Sequence, residues 1–233
     1  MARDAEWLEQ KLREFNAIIT DSHLVLTSEK HSDSYINLRV LAGHVDELYK
    51  IGEMIAEAID KRENDIVNIL SDGDYEKNII IVGPETLGRT LAEFTAIAGG
   101  FDYFAWCDMK KDAKDNDIAQ WNPKLNFPEL VCGKRCYIVD DLLTTAKSLK
   151  LTKQLIEETG CKVEGVVVVV RRSQNVTAEI AEVPWLYPLL DVSGFNTYEA
   201  DSCPLCNDKV PMRLRPGHGY EWIEKNPDYP TTE

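Results

Sequence analysis

Between Tyr137 and Ser148 the chain reads Tyr-Ile-Val-Asp-Asp-Leu-Leu-Thr-Thr-Ala-Lys-Ser. An apolar run delivers two adjacent acids, and a hydroxyl-rich turn then leads into a segment of helical spacing. Backbone N–H groups at a helix N-terminus lack intrahelical partners and carry partial positive charge. A phosphate dianion can rest there, with the hydroxyls of Thr144, Thr145 and Ser148 as further donors. The carboxylates of Asp140 and Asp141 can accept hydrogen bonds from a sugar's hydroxyls. The string therefore describes an anion cradle beside a diol clamp. For the acids alone the competing reading is capping of the following helix, with the threonines merely closing a turn.

Such a device needs a sheet edge to stand on, and the flanking sequence supplies the elements. Residues 136–141 (CYIVDD) form a buried strand, Ser148 to Thr159 a helix stopped by Gly160, and residues 165–172 (GVVVVVRR) a β-branched strand for the centre of a parallel sheet. Upstream, residues 4–20 and 46–61 have helical spacing, 79–83 (IIIVG) is a short buried strand closed by Gly-Pro, 86–98 is helical, and 101–106 is a further strand. The polar stretch from Asp108 to Pro123 has no apolar period and reads as a long loop. Parallel sheets bind ligands beyond the carboxyl ends of their strands, so the expected site lies where strands end in Gly83, Asp140 and Arg172.

The motif from Tyr137 to Ser148 resembles the binding motif of type I phosphoribosyltransferases for phosphoribosyl pyrophosphate (PRPP). The resemblance implies an α/β fold, a parallel sheet flanked by helices with an N-terminal/C-terminal hood. It implies PRPP binding by Asp140, Asp141, Thr144, Thr145, Ala146, Lys147 and Ser148, with Ala146 standing where the family usually has glycine. Further segments are similar to orotate phosphoribosyltransferases. Lys111-Asp-Ala-Lys-Asp-Asn-Asp117 resembles their mobile catalytic loop, with Lys111 and Lys114 at its lysines, Asn116 at its histidine and Asp117 at its glycine. Gly83 to Gly88 resembles the pyrophosphate loop, implicating Glu85, Thr86, Leu87 and Gly88 through main-chain N–H groups that face an anion. Leu24 to Tyr35 is similar to the N-terminal substrate segment: Ser28, Ser32 and Tyr35 fit, Glu29 replaces a glycine, and Thr27 replaces a PRPP-binding lysine. Arg172 matches the arginine that contacts the orotate carboxylate, a planar partner suited to a guanidinium fork. Arg171 stands where the family has Asp.

The expected segments are 1–45 (helix and hood), 46–190 (PRPP-binding core) and 191–233 (an extension with Cys203-Pro-Leu-Cys206). The resemblance implies transfer of the phosphoribosyl group from PRPP to orotate, with catalytic Lys111, Lys114, Asp140 and Asp141. It also implies Mg²⁺ held to the two acids indirectly through PRPP, and a homodimer. The alternatives are a PRPP-binding regulator that kept the fold but lost turnover, and a transferase for another nucleobase. In the tail, Cys203, Cys206 and His218 offer three zinc ligands where a structural site takes four, so a non-metal role is favoured over zinc or redox chemistry.

Composition bounds the rest. A net charge of −14 argues against non-specific nucleic-acid or anionic-membrane binding. No segment approaches the ~20 apolar residues of a membrane span. An N-terminus of mixed charge and six cysteines read as thiols suggest a cytoplasmic protein.

Overall fold

Five consecutive valines, Val166–Val170, have at most 1% of their surface exposed, as happens when a strand is covered on both faces. The computed structural model, which describes residues 2–26, 28–69, 78–172 and 175–232, places them in the middle of a six-stranded sheet. Its strands are β1 (Ile79–Pro84), β2 (Tyr103–Lys111), β3 (Asp117–Trp121), β4 (Arg135–Leu143), β5 (Lys162–Arg171) and β6 (Leu186–Asp191). The spatial order is β6-β5-β4-β1-β2-β3, parallel except for the antiparallel pair β2/β3.

The helices that flank the first five strands are α1 (Ala2–Glu14), α2 (Val45–Ile69), α3 (Leu87–Gly99), α4 (Phe127–Val131) and α5 (Lys147–Glu158), and shorter ones follow at Ala178–Ala181, Pro204–Asn207 and Gly219–Lys225. Leu149 and Ile156 of α5 share one buried cluster with Ile80, Val82, Ile138, Val166 and Val168. The alternate residues Ile81, Val139, Val167 and Val169 are equally buried. Because successive side chains on a strand point to opposite faces, both faces of the sheet are covered. No described helix is long and apolar enough to cross a membrane.

The chain divides into two compact units: residues 1–8 with 41–192, and residues 9–40 with 193–233. The first holds the sheet. The second is made of two-residue strands and short helices from both chain ends, including the antiparallel pairs Ile18–Ile19 with Tyr35–Ile36 and His31–Ser32 with Leu24–Val25. The segments 1–45 and 191–233, read from sequence as separate, thus contribute most of their residues to one unit.

Three elements differ from their sequence reading. The opening helix stops at Glu14, short of residue 20, because Asn16 takes a left-handed conformation (φ 52°) and Ala17 N–H returns to Leu12 O; asparagine ends the helix in the role usually filled by glycine. Strand β4 continues past the two acids to Leu143, held by its parallel partner β5. The polar stretch from Asp108 is no loop but a hairpin of β2 and β3, with Lys111 paired to Asp117.

Candidate active site

Strand β1 pairs with β4 only as far as Val82 opposite Ile138, whereas β5 follows β4 to Arg171 opposite Leu143. The last turn of β4, with Asp140 and Asp141, therefore has a ladder partner on one side and an open edge on the other. The chain also diverges here, from β1 through α3 to β2 on one side and from β4 through α5 to β5 on the other. This is the switch point of an open α/β sheet, where ligands bind.

The two acids do not cap the helix that follows. Asp140 Oδ1 accepts from Asp141 N–H at 2.8 Å, Asp141 Oδ1 accepts from Leu142 N–H at 2.8 Å, and no side chain caps α5. Each carboxylate keeps its second oxygen free of the bonds that fix it. Among the described residues neither forms an ion pair. Burial, and after it the charge of Asp141, pushes the Asp140 pKa well above the ordinary carboxylate value. Holding both acids ionised is therefore costly until a ligand supplies donors.

From Leu143 the chain turns through Thr144 and Thr145 into Ala146, which is buried and left-handed (φ 62°, ψ 10°). A left-handed residue with a Cβ costs roughly 1–2 kcal/mol. The turn keeps the shape that glycine would give it even though alanine occupies the position. Lys147 and Ser148 open α5. Glu29, at another position where the resemblance expects glycine, is also left-handed (φ 62°).

The loop after β1 presses against the same edge. A Cβ on Gly83 would meet Gly88 O at 1.9 Å, and one on Gly88 would meet Val139 O at 3.1 Å and Asp140 Oδ1 at 3.3 Å. Only glycine fits at Gly83, because the loop folds back on its own backbone. Leu87 is buried as α3 begins, whereas Glu85 and Thr86 are exposed. Glu85 N–H is spent on Cys107 O at 2.8 Å.

At the hairpin tip, Asp112 Oδ1 accepts from the N–H groups of Lys114 (2.7 Å) and Asn116 (2.9 Å), and Asp115 is left-handed (φ 65°). Asp117 pairs with Lys111 at 2.9 Å and with Lys147 at the start of α5. These bonds, Lys147 first, hold the Asp117 carboxyl below its usual range, and Asp117 in turn holds Lys111 above its own. Among the described residues Lys114 Nζ makes no ion pair or hydrogen bond.

At the end of β5, Arg171 makes a two-pronged pair with Asp191 (2.6 and 2.9 Å). Arg172 N–H donates to Leu143 O at 3.0 Å, which sets this arginine beside the last residue of β4. Ser173 and Gln174, which follow, lie outside the described residues, as does Thr27. Exposed Ser28 and half-buried Tyr35 belong to the second unit, as does Ser32, whose hydroxyl is committed to Ser34 O and Asn196 O. In that unit the expected third donor beside Cys203 and Cys206 is replaced. His218 is exposed and lies 3.5 Å from Glu221, while His23 and His31 face the two thiols. Sequence spacing hid these histidines because they lie some 170 residues upstream of the cysteines.

The chain is similar to proteins of known activity. It is 30% identical over 172 residues to an orotate phosphoribosyltransferase of Pyrococcus abyssi, covering 73% of this chain and 84% of that one. It is 28% identical over 194 residues to one of Chlorobium phaeobacteroides, covering 83% and 86%. The crystal structure of orotate phosphoribosyltransferase from Aeropyrum pernix superimposes with a TM-score of 0.54 at 20% identity, over 79% of this chain and 93% of that one, which shows the same fold. The phosphoribosyl transferase domain matches residues 44–184, more than half of the chain and the whole of the strand-end device built around Asp140 and Asp141. With the sheet order, the switch point and the turn after β4 all in place, this chain belongs to the phosphoribosyl transferase domain family.

Proposed function

We propose that this protein is an orotate phosphoribosyltransferase, which joins orotate to the phosphoribosyl group of PRPP and releases pyrophosphate. One observation carries the reading: two neighbouring carboxylates with no cation among the described residues at the open edge of β4, followed by a hydroxyl-bearing turn into a helix that no described side chain caps. In this reading the ribose hydroxyls of PRPP donate to Asp140 and Asp141. The 5-phosphate rests on the N–H groups and hydroxyls from Thr144 to Ser148. The orotate carboxylate meets the Arg172 guanidinium.

A ring nitrogen of orotate, giving up its proton, forms a bond to C1 of the ribose as the C1–O bond to pyrophosphate breaks, and the bonding pair leaves with pyrophosphate. The transition state resembles that of glycosyl transfer, with positive charge on the sugar. The anionic strand end formed by Asp140 and Asp141 suits that charge. Main-chain groups of Thr86 to Gly88 and the lysines at the hairpin tip receive the pyrophosphate, with the Lys114 ammonium uncommitted among the described residues. The hard oxygen donors of Asp140 and Asp141 fit Mg²⁺ held to them through PRPP, which when bound neutralises the leaving group. The working unit in this reading is a homodimer.

One observation favours a second reading. Asp117 holds both Lys111 and Lys147, and a chain so arranged could bind PRPP as a regulator with little turnover. The two are separated by incubating the protein with PRPP and Mg²⁺, with orotate or a panel of other bases, and following pyrophosphate. Orotate-dependent release is expected. Release with another base alone would replace the substrate, and PRPP binding without release would establish the regulator.

A further inference from the structure

Four ligand atoms converge in the second unit, and the active-site proposal uses none of them. His23, His31, Cys203 and Cys206 each offer one donor atom, and all four atoms lie within 4.8 Å of one another. His23, His31 and Cys203 are buried, and Cys206 is partly exposed. His23 Nε2 stands 2.9 Å from His31 Nδ1, and Cys206 Sγ stands 3.2 Å from His31 Nδ1 and 3.6 Å from His23 Nε2. Cys203 Sγ stands 3.7 Å from His23 Nε2. Around a tetrahedral Zn²⁺, with Zn–N of about 2.1 Å and Zn–S of about 2.3 Å, nitrogen donors lie roughly 3.4 Å apart and nitrogen and sulfur donors roughly 3.6 Å apart. The separations observed scatter about these values.

The surroundings are those of a metal ligand set. His23 Nδ1 lies 2.8 Å from Val210 O, to which it donates, leaving the Nε2 lone pair aimed into the cluster. Cys203 caps the short helix Pro204–Asn207, and Cys206 sits one helical turn further on, so a Cys-x-x-Cys pair brings both thiols to one side. Trp222 meets the His31 ring edge-on at 5.3 Å, Tyr229 meets the His23 ring at 5.8 Å, and the Tyr229 hydroxyl donates to Leu205 O and Val210 O. His31 Nε2 is buried without a hydrogen-bond partner. Two imidazole nitrogens and two sulfurs packed this closely, under an aromatic cover, present their lone pairs to one shared point. A cation satisfies all four.

We propose that His23, His31, Cys203 and Cys206 bind one Zn²⁺ as a closed structural site that ties the two ends of the chain together. The two nitrogen and two sulfur donors suit zinc over magnesium or calcium. Four protein ligands leave no open position for chemistry. A unit built from two-residue strands has little core of its own, and a metal staple is one of the ways such small units reach stability.

The test uses the full chain, purified under thiol-reducing conditions without chelator. Metal analysis is expected to return one zinc per chain. Replacing zinc by Co²⁺ is expected to give the intense visible bands of tetrahedral cobalt together with near-ultraviolet thiolate-to-cobalt charge transfer. The variants His218→Ala and Cys132→Ser should keep both signals, and Cys206→Ser should lose the charge-transfer intensity. Chelation should lower the thermal midpoint, and added Zn²⁺ should restore it. Because Cys206→Ser could fail to fold, the cobalt spectrum of the unaltered chain decides. A reduced, folded protein that carries no zinc and gives no tetrahedral spectrum on Co²⁺ titration would overturn the site, as would a Cys203–Cys206 disulfide in protein isolated without reductant.

Discussion

Strand β4 carries charge at both ends and treats it in opposite ways. At its start, Arg135 forks onto Glu63 (2.8 and 3.0 Å) and reaches Glu164 (3.0 Å), and the Tyr137 hydroxyl donates to Glu63. Lys162 adds a further contact to Glu164 at 2.9 Å. Glu164 is the extra residue of a β-bulge, since Cys136 pairs with Val163 and Tyr137 with Gly165, and the bulge brings its carboxylate to Arg135. Every buried charge there has a partner. At the other end Asp140 and Asp141 lie side by side with none among the described residues. Carboxylates gathered at one end of β4 are answered by cations, and the two carboxylates at its other end are not, among the described residues.

The comparison breaks most visibly under mutation of the answered end. Arg135→Met would leave Glu63 buried without its cation and Glu164 with Lys162 alone, a loss of about 3–5 kcal/mol. Denaturant titration should show it, while PRPP affinity stays unchanged in the protein that remains folded. Next in size is Lys114→Ala. Losing one cation that acts on the developing charge costs about 10²–10³ in kcat, with PRPP affinity nearly constant. Equal losses in both would remove Lys114 from the transition state.

The two ends should also differ in the sign of their pH dependence. At Glu164 burial opposes ionisation, but the bonds from Lys162 and Arg135 outweigh it and hold the pKa below the ordinary value. Its contribution is present above the unfolded pKa and fades as pH falls through the folded one. The Asp140 pKa is raised, so the folded state holds its proton more tightly. The stability tied to it is full below the ordinary carboxylate pKa and declines as pH rises towards the folded value. Asp140→Asn, which keeps the Oδ1 acceptor for Asp141 N–H, should therefore raise the melting temperature at neutral pH while weakening PRPP binding. Glu164→Gln should lower it at neutral pH and converge with the unaltered protein in acid. A destabilised Asp140→Asn would place that residue among the scaffold.

The smallest effect sharpens the turn between the acids and α5. Ala146→Gly removes a left-handed strain of about 1–2 kcal/mol. Against this stand about 0.5–1 kcal/mol of added chain entropy and about 0.8 kcal/mol for one buried methyl. The terms nearly cancel, so the denaturation midpoint should barely move. Were Ala146 not left-handed, only the two losses would remain, and the protein would be weaker by about 1.5 kcal/mol.

How much of this was legible depended on whether the signal was local. The valine run, the strand before the acids and the helix after them are local patterns, and they stand within one to three residues of where the sequence put them. The hairpin was hidden because β2 and β3 are polar near their tip; what folds them is the Asp112 turn and the Lys111–Asp117 pair, which no apolar period records. The bulge at Glu164 carries no distinctive residue type, and the helix end at Asn16 carries only the weak signal of an asparagine where glycine is usual. The fourfold donor set in the second unit was least visible, since its ligands come from opposite ends of the chain and meet only in three dimensions.

The account stands or falls on the unanswered acids. Calorimetric titration of PRPP with Mg²⁺ into the unaltered chain and into the Asp140→Asn, Asp141→Asn double variant compares them directly. With hydrogen bonds to charged groups at about 1.5–3 kcal/mol each, the pair is expected to account for roughly 10²–10⁴ in affinity, in a variant that remains folded. Equal affinity in the two proteins would mean that these carboxylates hold no ligand.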